Sequence, residues 1–498
     1  MHTMLFFRKR DQVVIRPRAE HPISRRDIAP EALKVLYRLS EAGYKAYLVG
    51  GSVRDLLLGR TPKDFDVGTD ARPREIKRLF RNCFLVGRRF RLAHIVFGDK
   101  VIETSTFRRQ PDDGVEVVDE DAPGALYQSS DNTFGTPEED ARRRDFTVNG
   151  LFYDIKTFEI IDYVGGLRDL DQRVLRMIGD PNVRMREDPV RMMRAVRLAA
   201  RLDMTIERKT YRAICKHHAE IAQAAPARVL EEIFRLFAFS SAAPTFKLLW
   251  KTRLMSSLLP NLDQYVKKSG GANSPLWNLL EKQDEMERGE GESFANGLHL
   301  AVLAYPFFKA TVDELEGASG DRNVNHLEVA EQCLADFNKR FKVPKAVFYH
   351  AVHLLDEQQR LDAMPASGRR IRPGRAQEFA DALRLARIRL AATGCSTATV
   401  DAWQKLVPAQ AWTAAARNKK RRDSRKKQPA SSKTGGQQGT RKPQAGEKAA
   451  EPDRDTAAPE TASPRSSDRK RRRRGGGRRR RASPATSEQQ PAAAVNAE

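Results

Sequence analysis

The sequence predicts an α/β head followed by an all-helical neck and body, then a basic tail with no core of its own. Three observations carry this. Between residues 31 and 168, short apolar runs alternate with helical patterns and are punctuated by glycines. From residue 169 onward strand signals fade, and apolar residues recur at helical spacing. Beyond Ala416 the chain turns to Lys, Arg, Gly, Pro, Ser, Gln and Ala, with no aromatic residue after Trp412.

The bulk numbers narrow the class. A chain of 498 residues has room for two or three domains and a sizeable core. It has no run of about 18 apolar residues, which argues against a spanning helix. The apolar patch Met4-Leu5-Phe6-Phe7 is too short for a secretory segment and has its basic cluster on the wrong side. Cys83, Cys215, Cys333 and Cys395 are far apart and lack metal spacing, which predicts neither disulfides nor zinc and fits a reducing cytoplasm. The net charge is +24; residues 417–498 carry 24 Lys+Arg against 9 Asp+Glu, and residues 1–416 keep a net +9. Both parts therefore suit a polyanion.

Residues 1–30 are Arg-rich with scattered prolines and read as an extended arm. Ala32, Leu33, Val35, Leu36 and Leu39 have helical spacing, and Gly43 stands where that helix would be capped. Ala46 to Val49 reads as a strand running into Gly50-Gly51-Ser52, and Val53 to Leu58 as a helix closed by Gly59. Phe65 to Gly68 predicts a strand, Arg74 to Phe80 a helix, and Phe84 to Val86, Ala93 to Phe97 and Val101 to Phe107 further strands. Helical patterns follow at Pro189 to Leu202, Val229 to Phe239, Phe246 to Leu259, Leu298 to Leu303 and Val329 to Phe341. The predicted divisions are an arm (1–30), a head (31–168), a helical neck (169–260), a solenoid-like helical body (261–416) and a disordered tail (417–498).

The chemistry concentrates in five places. Gly50, Gly51 and Ser52, between a strand and a helix start, can bring backbone N–H groups close to a phosphate. Fourteen residues on, Asp64 and Asp66 flank Phe65, and on a strand positions i and i+2 share a face. Two hard carboxylates there suit Mg²⁺, which draws the rest of its shell from phosphates. Glu103, on an expected neighbouring strand, is the third acidic candidate. Arg144 and Asp145 form a pair able to meet phosphate and ribose. Pro189 at the first helical position makes Asp188 the cap, with Arg191 three residues on. Arg191, Arg194, Arg197 and Arg201 then fall on one face of that helix, opposite Met192, Met193, Ala195 and Val196.

These elements, in this order, resemble the class II nucleotidyltransferases, the family of bacterial poly(A) polymerases and of CCA-adding enzymes. The resemblance covers residues 30–260 and implies a polymerase-β-like head with a helical neck and body. It implies that Asp64, Asp66 and Asp145 are catalytic. It further implies that Asp64, Asp66 and Glu103 hold Mg²⁺, or Mn²⁺ in its place, and that Gly50, Gly51, Ser52, Arg54, Arg144, Asp188, Arg191 and Arg194 bind the nucleotide. The stretch Gly87-Arg88-Arg89-Phe90-Arg91 resembles the one that marks poly(A) polymerases, with Arg88, Arg89 and Arg91 as RNA contacts. An acidic insertion at 110–140 and the lack of any His-Asp dipeptide lean the same way. The expected activity is addition of AMP from ATP to RNA 3′ ends without a template. The expected partners are many RNAs, with RNA-decay or RNA-chaperone proteins on the basic tail and no membrane. The alternatives are a CCA-adding enzyme and a non-catalytic RNA-binding relative. Oligomeric state is left open.

Overall fold

The computed structural model describes residues 13–87, 92–109, 134–319, 324–363 and 376–405. The tail and the Arg88–Arg91 stretch lie outside them, as does most of the 110–140 insertion. Eight strands form one mixed sheet. They are β1 (Val14–Arg16), β2 (Ala46–Val49), β3 (Asp66–Thr69), β4 (Cys83–Val86), β5 (Leu92–Phe97), β6 (Lys100–Thr106), β7 (Leu151–Asp154) and β8 (Ile160–Asp162), in the order β1-β8-β7-β2-β3-β6-β5-β4. Every described neighbour pair is antiparallel except β3 with β6, which is parallel.

The two faces of this sheet are closed differently. Helix α1 (Pro30–Glu41) packs on β2, β3 and β6. Its Ala32, Val35, Leu36 and Leu39 are fully buried, as their spacing predicts, in one core with Leu48 and Val67. The opposite face carries a separate cluster of Val49, Phe107, Ala141 and Phe152. Tyr47 meets the Phe152 ring edge-on at 6.0 Å, and Tyr163 does so at 5.7 Å. Gly68 is needed here: a Cβ would lie 2.7 Å from the Phe107 ring and 3.0 Å from Val49. The short helices α2 (Gly51–Leu57), α3 (Pro73–Leu79), α4 (Pro137–Arg143) and α5 (Gly166–Asp171) join the strands.

After the head the described residues are helical apart from turns and a two-stranded parallel pair, β9 (Val174–Leu175) with β10 (Thr205–Ile206). Helices α6 (Pro181–Glu187), α7 (Val190–Leu202), α8 (Arg208–His217) and α9 (Pro226–Arg235) come first. Then come α10 (Ala242–Lys251), α11 (Leu254–Leu258), α12 (Pro260–Lys268) and α13 (Pro275–Glu290). The last are α14 (Asn296–Ser319), α15 (His326–Phe341), α16 (Lys345–Ala363), α17 (Ala376–Ala392) and α18 (Ala398–Lys405). Helix α7 buries Met192, Met193, Ala195, Val196 and Leu198 and packs against α9 and α10. The α14, α15, α16 and α17 helices share a core that includes Phe308, Ala351, Leu355 and Leu385.

Several elements differ from their sequence expectation. Within the extended arm, Val14–Arg16 pairs with β8, a partner the sequence does not specify. The helix expected over Val229 to Phe239 stops at Arg235, and the one over Phe246 to Leu259 is broken at Arg253, whose φ of 66° is left-handed. In both places helical spacing continues past the break, because the residues beyond it are buried in the same core. The second helix begins at Gly51 rather than Val53, so the glycine turn is its first turn.

One carboxylate anchors the end of the sheet to the helices. Asp162 is 1% exposed, and its two oxygens accept from the backbone N–H groups of Val164, Gly165, Gly166 and Leu167 at 2.9–3.0 Å. These are the donors that a helix start leaves unpaired. Replacing Asp162 with Ala strands four of them at once and is expected to lower stability by roughly 3 kcal/mol, read from urea denaturation.

Candidate active site

Strand register brings the acidic residues together. Asp66 on β3 is the direct cross-strand partner of Glu103 on β6, with Val49 opposite Asp66 on the other side. Directly opposed residues point to one face, so both carboxylates stand on the side of the aromatic cluster, away from α1. The same row continues through His94 to Phe84. His94 Nε2 lies 3.6 Å from Glu103 Oε1, a neighbour the sequence reading did not single out. Asp64 is not on the strand. Pairing with β2 ends at Val49–Asp66, because Gly50 turns the chain away with φ 74° and ψ −131°. Asp64 therefore sits in the exposed loop just before β3, and the shared-strand geometry expected of Asp64 and Asp66 does not hold. It still lines the same cleft as Asp66 and Glu103, a space of about 1240 Å³.

This site strains one proton equilibrium. Burial pushes the Asp66 carboxyl up from 3.8 to about 6, and the charges of Glu103 and Asp64 add to the effect while Arg144 opposes it. A cation would relieve that repulsion, so the donor chemistry fits a hard divalent ion. Among the described residues, no three His, Cys, Asp or Glu side chains are gathered closely enough to hold a metal by themselves.

The glycine turn lies beside the carboxylates. A Cβ on Gly50 would fall 2.7 Å from Arg144 Nη1, so glycine admits both the backbone angle and the arginine. The Ser52 hydroxyl donates to the Val49 carbonyl at 3.0 Å and is buried. Arg54 lines the cleft but is 4% exposed. Its Nε and Nη2 donate to Asp55 Oδ1 at 2.8 and 2.6 Å, and its Nη1 donates to Asn149 Oδ1. Its guanidinium thus braces the turn from behind.

Arg144 and Asp145 do different work. Arg144 donates to Asp140 Oδ2 through Nη2 at 3.0 Å and lies over the Phe152 ring at 5.4 Å. Asp145 is saturated on both oxygens. Oδ2 accepts from Arg194 Nε at 2.8 Å and Nη2 at 2.6 Å, while Oδ1 accepts from Phe146 N at 2.8 Å and Asn149 Nδ2 at 2.9 Å. Burial alone would raise its pKa, but the Arg194 charge and these hydrogen bonds outweigh burial and hold it down to about 2.

Helix α7 supplies the opposite wall. It begins at Val190 with Pro189 at the cap position, one residue later than expected, yet Asp188 Oδ1 still accepts from Val190 N at 3.2 Å. Asp188 Oδ2 accepts from Arg228 Nη2 at 2.7 Å and stands 3.9 Å from Arg191 Nε. Arg191 Nη1 donates to Glu187 at 2.9 Å and to the Arg184 carbonyl at 2.7 Å. Each remaining arginine of the stripe also finds an acid: Arg194 meets Asp145, Arg197 meets Glu232, and Arg201 meets Asp55 at 2.9 Å. Arg228 and Arg235 of α9 line the cleft too. The sequence reading missed them, although Arg228, Glu232 and Arg235 share one helix face by their i, i+4, i+7 spacing. Every site residue inferred from sequence lines this cleft, except Arg88, Arg89 and Arg91, which fall outside the described residues.

Comparison with known proteins places the chain. The family described as "Poly A polymerase head domain" matches residues 46–176, and "Probable RNA and SrmB- binding site of polymerase A" matches residues 203–266. A protein named poly(A) polymerase I from Haemophilus influenzae is 42% identical over 64% of this chain and 70% of its own. The chain belongs to the class II nucleotidyltransferase family of poly(A) polymerases and CCA-adding enzymes. Within this family, poly(A) polymerase I of Escherichia coli O6:H1 is 48% identical over 55% of the chain, which spans 58% of the length of that relative. The CCA-adding enzyme of Bacillus subtilis is 32% identical over 67% of the chain and 73% of its own. A solved structure of the Bacillus stearothermophilus CCA-adding enzyme in complex with CTP has the same fold. It has a TM-score of 0.54 at 26% identity, covering 76% of this chain and 82% of the other.

The Asp145–Arg194 pair makes a direct test of how this class II head is assembled. Asp145→Asn leaves the Arg194 charge unpaired and is expected to cost about 3 kcal/mol of stability at neutral pH. With its folded value near 2, below the ordinary 3.8, the carboxylate contributes stability that is complete above about pH 4 and fades as pH falls toward 2. The variant should lose that part of the acid dependence in denaturation curves taken from pH 5 to 2.

Proposed function

We propose that this chain is a poly(A) polymerase, adding AMP from ATP to RNA 3′ ends without a template and releasing pyrophosphate. The observation that carries the reading is the cross-strand pair Asp66–Glu103, facing the arginine stripe of α7 across one cleft. Nucleotidyl transfer needs carboxylates at the reacting phosphate and cations around the rest of the triphosphate, and the cleft supplies both.

In this proposal Asp64 and Asp66 hold Mg²⁺ or Mn²⁺, with Glu103 beside them. Once bound, the ion stabilises charge at the reacting phosphate and on the RNA 3′ oxygen. Gly50 and Gly51 let backbone approach the triphosphate, and Ser52 and Arg54 keep that turn in shape. Arg144 reaches the phosphates from the other side of Gly50. Asp145 acts by fixing Arg194, which makes it a positioning residue. Asp188 and Arg191 present an acceptor and donors to the edge of the incoming base. Arg228 and Glu187 brace that pair, so the protein itself takes the place of a template strand. Catalysis is then mainly positioning.

The choice of poly(A) over CCA addition is supported by the relatives. Those named poly(A) polymerase I are 42–48% identical, whereas those named CCA-adding enzyme are 32–36% identical. A basic tail suits many RNAs held by charge, with RNA-decay or RNA-chaperone proteins as partners. A place in the cytoplasm belongs to the same proposal; no described helix is long and apolar enough to cross a membrane, and the four cysteines are unpaired.

Asp64→Ala should abolish transfer at unchanged stability; retained activity would remove the metal assignment. Supplied with ATP or CTP separately, the enzyme should build long A tails on a generic RNA primer. Addition of only three nucleotides to tRNA lacking its 3′ end would replace this reading with the CCA one. Removing residues 417–498 should keep basal transfer while RNA binding weakens and its dependence on salt becomes shallower, because fewer cations remain to displace counterions.

A further inference from the structure

The cleft has an aromatic wall that the nucleotide site does not use. Helix α9 ends at Arg235, and the chain turns through Leu236–Ser240 before α10 begins at Ala242. Two consecutive residues of this turn, Phe239 at φ 66° and Ser240 at φ 50°, have left-handed backbone. For a bulky side chain that conformation is disfavoured and persists only when the surroundings impose it. The turn separates two rings. Phe237 goes inward, fully buried and stacked on His299 at 4.3 Å. Phe239 goes outward: it is 49% exposed and lines the cleft.

Phe239 is not a bare ring at a surface. Arg201 lies over it with Cζ 3.5 Å from the ring centroid. Arg201 is itself held by Asp55 at 2.9 Å, and its Nε is buried without a hydrogen-bond partner. One face of the ring is thus backed by a fixed cation, and the ring lines the same cleft as Arg197 and Arg235. A flat ring backed by guanidinium in a basic cleft is the arrangement that stacks nucleobases without regard to sequence.

We propose that Phe239, backed by Arg201, is the stacking platform for one nucleobase of the RNA strand, a few nucleotides upstream of the 3′ end. The proposal rests on the nucleotidyl-transfer reading. The incoming base belongs to Asp188 and Arg191 in that reading, at the start of α7. Arg201 is ten residues further along the same helix, roughly 15 Å away at 1.5 Å per residue. A single mononucleotide base cannot meet both ends, whereas a stacked strand crosses that span in about four nucleotides at 3.4 Å each. Stacking there adds affinity for any sequence, as an enzyme that extends many RNAs requires.

The test uses the full chain and RNA primers carrying 2-aminopurine at successive positions from the 3′ end. The fluorescence should be quenched at one internal position, and Phe239→Leu should remove that quenching while Phe239→Trp keeps it. In steady-state transfer, Phe239→Leu should raise the KM for RNA roughly ten-fold while the KM for ATP stays within about two-fold. An abasic nucleotide at the quenched position should weaken RNA binding to the unaltered chain by a similar factor, and should add nothing further in Phe239→Leu. This last comparison needs no assumption about how the variant folds, since both RNAs meet the same protein. An unchanged KM for RNA, or a rise confined to the KM for ATP, would overturn the platform. Failure of the unaltered chain to extend any RNA would instead overturn the functional reading, while the quenching pattern would still judge the platform.

Discussion

Two carboxylate–guanidinium pairs, one half-buried and one buried, tie the head to helix α7 along the wall of the cleft. Asp145 holds Arg194 and Asp55 holds Arg201, in each case with the acid from the head and the arginine from the helix. Charges taken out of water are costly unless paired and hydrogen-bonded. Asp145 meets that condition with four hydrogen bonds, and Asp55 shares its oxygens between Arg54 and Arg201. The arginine stripe thereby has two duties. Its guanidiniums make the basic wall of the cleft, and the same groups set how far that wall stands from the sheet.

The rest of the cleft follows from this spacing. Gly50 ends the pairing of β2 with β3 and starts α2, leaving Asp64 in a loop and Asp66 at the first position of its strand. Arg144 fits against Gly50 because no Cβ is there. Asp188 and Arg191 lie at the start of α7, each tied to a further partner from α9 or α6. Asp66 and Glu103, which have no guanidinium partner among the described residues, face each other on adjacent strands. The unrelieved repulsion of the site is concentrated there.

Much of this was legible from residue order. The strand before Gly50 and the helix of Met192 and Val196 follow directly from periodicity, and the acidic and arginine motifs do line one cleft. What escaped the sequence is what depends on distant partners. The pairing of Val14–Arg16 within the extended arm is hidden because its partner strand is about 145 residues away. Arg54 and Ser52 read as nucleotide contacts, whereas their hydrogen bonds run inward to Asp55, Asn149 and Val49, which motif spacing cannot reveal. The helix through Leu236 and Phe237 breaks because Phe237 is drawn onto His299, a contact formed 62 residues along the chain. Propensity gave way to tertiary packing there, and the same turn sends Phe239 to the cleft.

The single parallel pairing of the sheet has a consequence for how the protein is made. Asp66 and Glu103 become neighbours only after the crossover through α3, β4 and β5 has returned β6 to the edge of β3. Parallel contacts of this kind require loop closure before they repay it, which makes them intrinsically slow to form. A nascent or partly folded chain can carry every motif and still lack the acidic pair. The acidic pair is therefore a property of the assembled sheet and of no single segment.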